Sequence, residues 1–246
     1  MLIINPYIFK RFPELAFGFS TKVGLERKKP YYFNMSSSVG DDPQITKENR
    51  EKFFNGFELN TESVAYQKQV HGDKISFVKS GGACGESDAM ITDKNNIGLA
   101  ISSADCCVVF IYDPVNKVIA GVHSGWRGTS KEILVKVLQT LSNDFDSAPG
   151  DLICYLSPSI SVTNYEVGVE VAEQFDLNYL KQKNGKYLLD IPKINEDILL
   201  NYGVNPHNIQ VSNLCSYEYS SILHSYRRDG KKSGRALGVI AMRGSK

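Results

Sequence analysis

An α+β fold is predicted by three features of the chain. Strand-like segments crowd its first half, helical periodicity becomes clear only near residue 129, and strands and helices never settle into regular βαβ alternation. Apolar residues make up 42% and charged residues 22% of the 246, the balance of a globular chain able to bury a core. No repeat, low-complexity tract or Pro/Ser-rich linker divides it, so one domain over residues 1–246 is expected.

Taken in order, residues 64–70 and 75–78 are β-prone runs flanking His71-Gly72-Asp73-Lys74, a pattern that reads as a hairpin. Strands are expected at 89–92, 97–102, 107–112 and 118–122. The turn-rich stretches Asp93-Lys94-Asn95-Asn96 and Asp113-Pro114-Val115-Asn116-Lys117 separate them. Thr129 and Glu132 have the spacing of a capping box, and Ile133, Leu134, Val137, Leu138 and Leu141 follow on one helical face. A second helix is expected over residues 169–181, and a third from Ile191, ahead of Pro192, to a stop at Gly203. Strands at 152–156, 209–213 and 237–242 complete the reading.

A formal net charge of +1 gives no bulk attraction for nucleic acid or a membrane surface, and no apolar run approaches the length that crosses a bilayer. The N-terminal MLIINPYIFKRFPE lacks a basic start, and Pro6 interrupts its apolar stretch, so a cytoplasmic protein is expected. The five cysteines are odd in number and irregularly spaced, which reads as reduced thiols. Cys84, Cys154 and Cys215 are read as small buried apolar residues.

Of four histidines, His71 stands at the tip of the expected hairpin, and His123 ends a strand and opens His123-Ser124-Gly125-Trp126-Arg127-Gly128. His207 and His224 read as surface or packing residues. Cys106 and Cys107 lie at the start of a strand, where side chains alternate, so at most one of them can join the histidines. Two imidazoles and a thiolate are a ligand set that suits zinc, although the spacing is not that of a zinc finger. Polar loop histidines and a core cysteine are the alternative. Independently, Arg127 and the turn at Gly128 precede a capped helix, an arrangement in which free amides, the helix dipole and a forked cation can hold phosphate. A tight turn with Arg127 paired to a carboxylate is the bland counterpart. The basic run Tyr226-Arg227-Arg228-Asp229-Gly230-Lys231-Lys232-Ser233-Gly234-Arg235 reads as a solvated turn, with a direct substrate role as the alternative.

Several segments together resemble the laccase-domain (polyphenol-oxidase-like, YfiH-type) purine nucleoside phosphorylase family. They are Gly18-Phe19-Ser20-Thr21-Lys22, Val39-Gly40-Asp41-Asp42-Pro43, Gln69-Val70-His71-Gly72 and Asp88-Ala89-Met90-Ile91-Thr92-Asp93. They continue with Ala104-Asp105-Cys106, the His123 to Gly128 run, Tyr165-Glu166-Val167-Gly168 and Ser225-Tyr226-Arg227-Arg228-Asp229-Gly230. The resemblance implies a single α+β domain with mixed β-sheets and helices packed on the outside. It implies a catalytic zinc on His71, Cys106 and His123. It also implies phosphorolysis of adenosine, inosine and S-methyl-5′-thioadenosine, with adenosine deamination as a further activity. The chain departs from the family pattern at Ser38, where many relatives have histidine, at Cys107-Val108 in place of Leu-Pro, and in Val23-Gly24-Leu25, which keeps one glycine of two.

The family's oxidase name does not suit this composition. A multicopper centre needs roughly ten histidines, and the chain has four. A Cys–His hydrolase with Cys106 as nucleophile and His123 as base is a second enzymatic reading, but it leaves His71 without a task. A zinc-stabilised binding module is the non-enzymatic one. Structural zinc usually has four protein ligands, and only three good ones are nameable, which favours catalysis. Purine nucleoside and phosphate are therefore the expected partners. Asp105 and Glu166 are candidate acid, base or orienting groups.

Overall fold

Two six-stranded sheets lie face to face, and the alternation of apolar side chains along their strands dictates it. A computed structural model describes residues 1–244. In chain order the strands are β1 (Ile3–Ile4), β2 (Leu15–Ser20), β3 (Val64–Lys68), β4 (Ile75–Phe77), β5 (Gly82–Glu86), β6 (Ala89–Thr92), β7 (Gly98–Ser103) and β8 (Cys107–Asp113). They continue with β9 (Val118–Ser124), β10 (Ile153–Leu156), β11 (Glu166–Val167), β12 (Leu180–Lys183), β13 (Lys186–Leu189), β14 (Ile209–Val211) and β15 (Ala236–Met242). The helices are α1 (Pro43–Asn55), α2 (Trp126–Ser130), α3 (Ile133–Phe145), α4 (Val169–Ala172), α5 (Ile191–Tyr202) and α6 (Tyr226–Asp229).

The first sheet runs β1-β2-β15-β7-β3-β5, the second β14-β10-β8-β9-β6-β4, and β11-β13-β12 form a small third sheet. Both large sheets are mixed: β3 pairs parallel with β5 and β7, and β4 with β6, while β8 pairs antiparallel with β9. In β8, Val108, Phe110 and Tyr112 turn toward the first sheet and meet Phe17, Leu99 and Ile240, whereas Val109 and Ile111 turn the other way. That second face is covered by Ile133, Leu134, Val137, Leu138 and Leu141 of α3 and by Ile191, Ile194 and Leu199 of α5. Phe53 and Phe54 of α1 cover the outer face of the first sheet, against Val64, Ala100 and Val239. The result is helix, sheet, sheet, helix in layers, with every residue of β8 and β9 buried. Each fully buried Leu, Ile or Val on α3 contributes about 1.5–3 kcal/mol relative to exposure.

The mixed α+β architecture with outer helices agrees with the sequence, but three local expectations need correction and one helix is not marked in the sequence. Residues 64–78 are not a hairpin: β3 and β4 belong to different sheets, and His71-Gly72-Asp73-Lys74 is the crossover between them. The amides of Val70, His71 and Gly72 are taken by the Asp88 carboxylate instead of by a turn. The capping box does not form. Glu132 sits at φ 60 between α2 and α3 with no side-chain cap bond, and Thr129 Oγ1 donates back to Gly125 O at 3.0 Å. The helix expected over 169–181 ends at Ala172, because Asp176 folds a turn onto Asn178 N and Asn184-Gly185, both left-handed, close a β12–β13 hairpin. Finally, α1 has no counterpart in the sequence reading. Asp42 caps it by accepting from Gln44 N at 2.8 Å, but two of its four buried residues, Thr46 and Asn49, are polar and blur the apolar stripe.

Candidate functional site

His71, Cys106 and His123 come from two connections and a strand and converge. His71 lies on the crossover from β3 to β4, Cys106 on the turn from the first sheet's β7 to the second sheet's β8, and His123 in β9. Their ligating atoms all lie within 4.8 Å of one another, and the two imidazole rings meet edge to face with centroids 4.9 Å apart. Gly125 passes so close that a Cβ there would stand 2.9 Å from Cys106 Sγ and 3.3 Å from His71 Cδ2. Cys107, the first residue of β8, points the other way into the core beneath α3 and α5, where burial pushes its thiol up.

Asp88 organises the group. Its buried carboxylate accepts from Val70 N, His71 N and Gly72 N at 3.1, 3.0 and 2.7 Å, and lies 2.8 Å from His123 Nδ1. Burial raises the carboxyl's pKa, but the bond to His123 and the backbone amides outweigh that and hold it below the ordinary value. An ionised carboxylate only accepts, so Nδ1 carries the proton and Nε2 is left free to ligate. Burial also disfavours the Cys106 thiolate, yet His123 and His71 overcome it and draw the thiol down to about 6. Burial works against the His123 imidazolium as well, but the Cys106 thiolate and then Asp88 bring it up to about 9. Two imidazoles and a thiolate, with the second nitrogen of one imidazole tied to a carboxylate, fit a tetrahedral metal that keeps a fourth position open.

Cys106 is aimed by its neighbour. Asp105 takes φ 97, a conformation rare for any residue but glycine, and is held there by Ser216 Oγ at 2.6 Å and Arg227 N at 2.7 Å, both donating to its carboxylate. Ser103 Oγ donates to Cys106 O at 2.6 Å. With both oxygens engaged, Asp105 serves as a clamp. Glu166 is exposed, pairs with Lys186 at 2.8 Å and does not line the cleft.

The trio opens into a cleft of about 820 Å³. Four of its walls are an arginine stacked on an aromatic ring: Arg127 on Trp126 at 4.3 Å, Arg50 on Tyr66 at 4.7 Å, Arg227 on Tyr165 at 5.2 Å and Arg235 on Tyr226 at 5.3 Å. Asp105 is the one carboxylate residue on the lining. Arg127 is exposed and lines the cleft, but it lies inside α2, which is five residues long and has no side-chain cap, and not ahead of a capped helix. Gly128 is buried and off the lining, and a Cβ there would stand 3.1 Å from Gly72 O. The basic C-terminal run divides: Tyr226, Arg227 and Arg235 face the cleft, Arg228 binds the carbonyls of Ser216, Tyr217 and Leu223, and Lys231 and Lys232 are exposed. His207 is exposed and His224 is buried against Phe33 O. Asp88, Arg50 and Tyr66 were missed as site residues in the sequence. Asp88 precedes a strand, as any turn acid does, and Arg50 lies in the helix that went unread.

The sequence profile described as multi-copper polyphenol oxidoreductase laccase matches residues 16–243. The chain is 30% identical over 248 residues to the purine nucleoside phosphorylase YlmD of Bacillus subtilis, covering 94% of this chain and 89% of that protein. It is 33% identical over 252 residues to a purine nucleoside phosphorylase of Clostridium acetobutylicum, covering 96% and 97% respectively. The crystal structure of the Bacillus licheniformis hypothetical protein YfiH matches with a TM-score of 0.90 at 27% identity, covering 96% of this chain and 94% of that one.

Proposed function

The chain belongs to the family described as multi-copper polyphenol oxidoreductase laccase, and within it we propose a zinc-dependent purine nucleoside phosphorylase that also deaminates adenosine. The proposed substrates are adenosine, inosine and S-methyl-5′-thioadenosine, with inorganic phosphate. The observation that carries this reading is the convergence of His71, Cys106 and His123 at a cleft walled by arginine–aromatic pairs. Rings suit a purine face, and guanidinium groups suit an anion. Relatives that align over nearly their whole length bear the name of the activity.

In this reading His71, Cys106 and His123 hold the zinc, and Arg127, carried on α2, contacts substrate beside them. Zinc bound there supplies a Lewis acid that lowers the pKa of a water and polarises the substrate. The chain's own groups do the rest. Asp88 keeps the proton on His123 Nδ1, Asp105 fixes the direction of Cys106, and the stacked rings orient the purine and shield the sugar from water. Multicopper oxidation is excluded by ligand count, since two of the four histidines lie away from the site. Free thiols at all five cysteines support a cytoplasmic setting; among the described residues no helix is long and apolar enough to cross a membrane.

One observation favours a second reading. Cys106, His123 and Asp88 also have the order and protonation of a thiolate–imidazolium pair steadied by a carboxylate, as in cysteine hydrolases. Incubating the protein with each nucleoside, with and without phosphate and chelator, separates the two. Phosphate-dependent, chelator-sensitive release of free purine is expected. Chelator-resistant activity, or base release indifferent to phosphate, supports the hydrolase instead.

A further inference from the structure

Arg50 is a half-buried cation whose charge nothing in the described structure neutralises. Its Nε donates to Met35 O at 2.7 Å, its ring partner is Tyr66, and neither Nη has a partner among the described residues. Burial disfavours its charge. Arg235 touches the same backbone residue but stands toward the ligand end of the cleft, since the next residue, Ala236, pairs with Ser103. It accepts Met35 N on its own carbonyl at 3.0 Å, spends Nη1 on Ser233 O and Gly234 O, and leaves Nε and Nη2 without partners among the described residues. Neither arginine pairs with a carboxylate there, whereas the cleft's lysine, Lys68, is neutralised by Glu86 at 2.8 Å. Ser36, Ser37 and Ser38 follow Met35 and line the same end of the cleft with hydroxyl groups.

We propose that Arg50, with the serine hydroxyls that follow Met35, forms the inorganic phosphate subsite, in place of Arg127 and the amides of α2. The Arg50 guanidinium, stacked on the Tyr66 ring, presents unspent forked donors to the cleft, and a tetrahedral oxyanion satisfies them. An uncompensated, half-buried cation is costly without such a partner.

Substrate geometry agrees, and this step rests on both the phosphorylase and the deaminase parts of the proposed function. If one bound adenosine undergoes deamination at C6 and phosphorolysis at C1′, its C6 edge faces the metal ligands. C1′ then lies on the opposite side of the purine, attached through N9. Phosphate attacks C1′ from the face away from N9, so it stands further still from the ligands. Arg127 lies in α2, which follows directly on the strand β9 that carries His123. Tyr66 beneath Arg50 pairs with Ala100, three residues or roughly 10 Å along the strand from Ser103 near Cys106. In the reaction a hydrogen phosphate oxygen forms the bond to C1′, and the C1′–N9 bond breaks with its electron pair going to the purine. The proton of hydrogen phosphate ends on the departing base, giving ribose 1-phosphate and free purine.

The test is calorimetric titration of inorganic phosphate into the metal-loaded protein without nucleoside, for wild type, Arg50→Gln, Arg50→Lys and Arg127→Ala. Loss of a charge-assisted pair predicts a Kd for phosphate raised about tenfold or more in Arg50→Gln. A smaller rise is expected in Arg50→Lys, which keeps the charge and the fold, together with a matching rise in the KM for phosphate with inosine as co-substrate. Arg127→Ala is expected to stay within about twofold of wild type. Phosphate affinity unchanged in folded Arg50→Gln and Arg50→Lys, or lost in Arg127→Ala alone, overturns the proposal. Affinity that responds to Arg50 in a protein unable to cleave inosine upholds the anion subsite and overturns the phosphorylase reading instead.

Discussion

Asp88 shows how much of the candidate centre depends on one side chain that ligates nothing. It ties three consecutive amides of the His71 crossover and the ring of His123 to a single carboxylate. Asp88→Asn keeps the size but removes the charge and offers an NH₂ where only acceptors fit. Metal affinity is expected to fall about 10–100-fold, as for other groups that orient a ligating histidine. Competition against a graded chelator measures this, and unchanged affinity with only a lower Tm makes Asp88 a structural residue. The adjacent cysteines give a second residue-scale prediction. In chelator-stripped protein, the Cys106 thiol lies near 6, so its thiolate forms as pH rises through that value and alkylation is complete at neutral pH. Cys107 is buried and its thiol is pushed up, so it stays unlabelled. Mass spectrometry of alkylated peptides across pH checks both. Labelling of Cys107 ahead of Cys106 contradicts the assignment of faces.

At the scale of elements, the strands and the α3 face were legible because both depend on local periodicity. The segments 89–92 and 118–122 and the five apolar residues of α3 fall where alternation and helical spacing put them. The crossover at His71 was not legible. Two β-prone runs around a Gly-Asp turn satisfy the hairpin pattern, and only the pairing of β3 and β4 with different, parallel partners shows otherwise. The same long-range pairing builds the site, since His71 and Cys106 sit where the chain leaves one sheet for the other. Local sequence therefore offered the two histidines and one of the adjacent cysteines only as candidates, the resemblance picked out Cys106, and neither gave Asp88 a role. Gly125, at the start of α2, gives the prediction proper to this scale. Its φ of −75° and ψ of 171° suit any residue, so Gly125→Ala imposes no backbone strain. A methyl there meets Cys106 Sγ at 2.9 Å. Metal binding is expected to weaken while thermal stability holds or rises slightly, as read by metal analysis beside a melting curve. A variant that keeps its metal shows that the loop yields.

For the whole molecule, the layered fold places rigid strands beneath a cleft whose walls carry opposite preferences from its floor. The floor offers two imidazoles and a thiolate, the walls offer rings and guanidinium groups, and the acid on the lining is spent as a clamp. That distribution suits a neutral aromatic nucleoside and an inorganic anion held together near a Lewis acid, and it lacks the histidines of a copper oxidase. The central claim is that phosphate is the nucleophile. Phosphorus NMR of a single reaction of purified protein with inosine and inorganic phosphate tests it most directly. The account predicts a ribose 1-phosphate resonance that grows in equal measure with hypoxanthine as inorganic phosphate declines. Hypoxanthine accompanied by free ribose, with the phosphate signal undiminished, contradicts it.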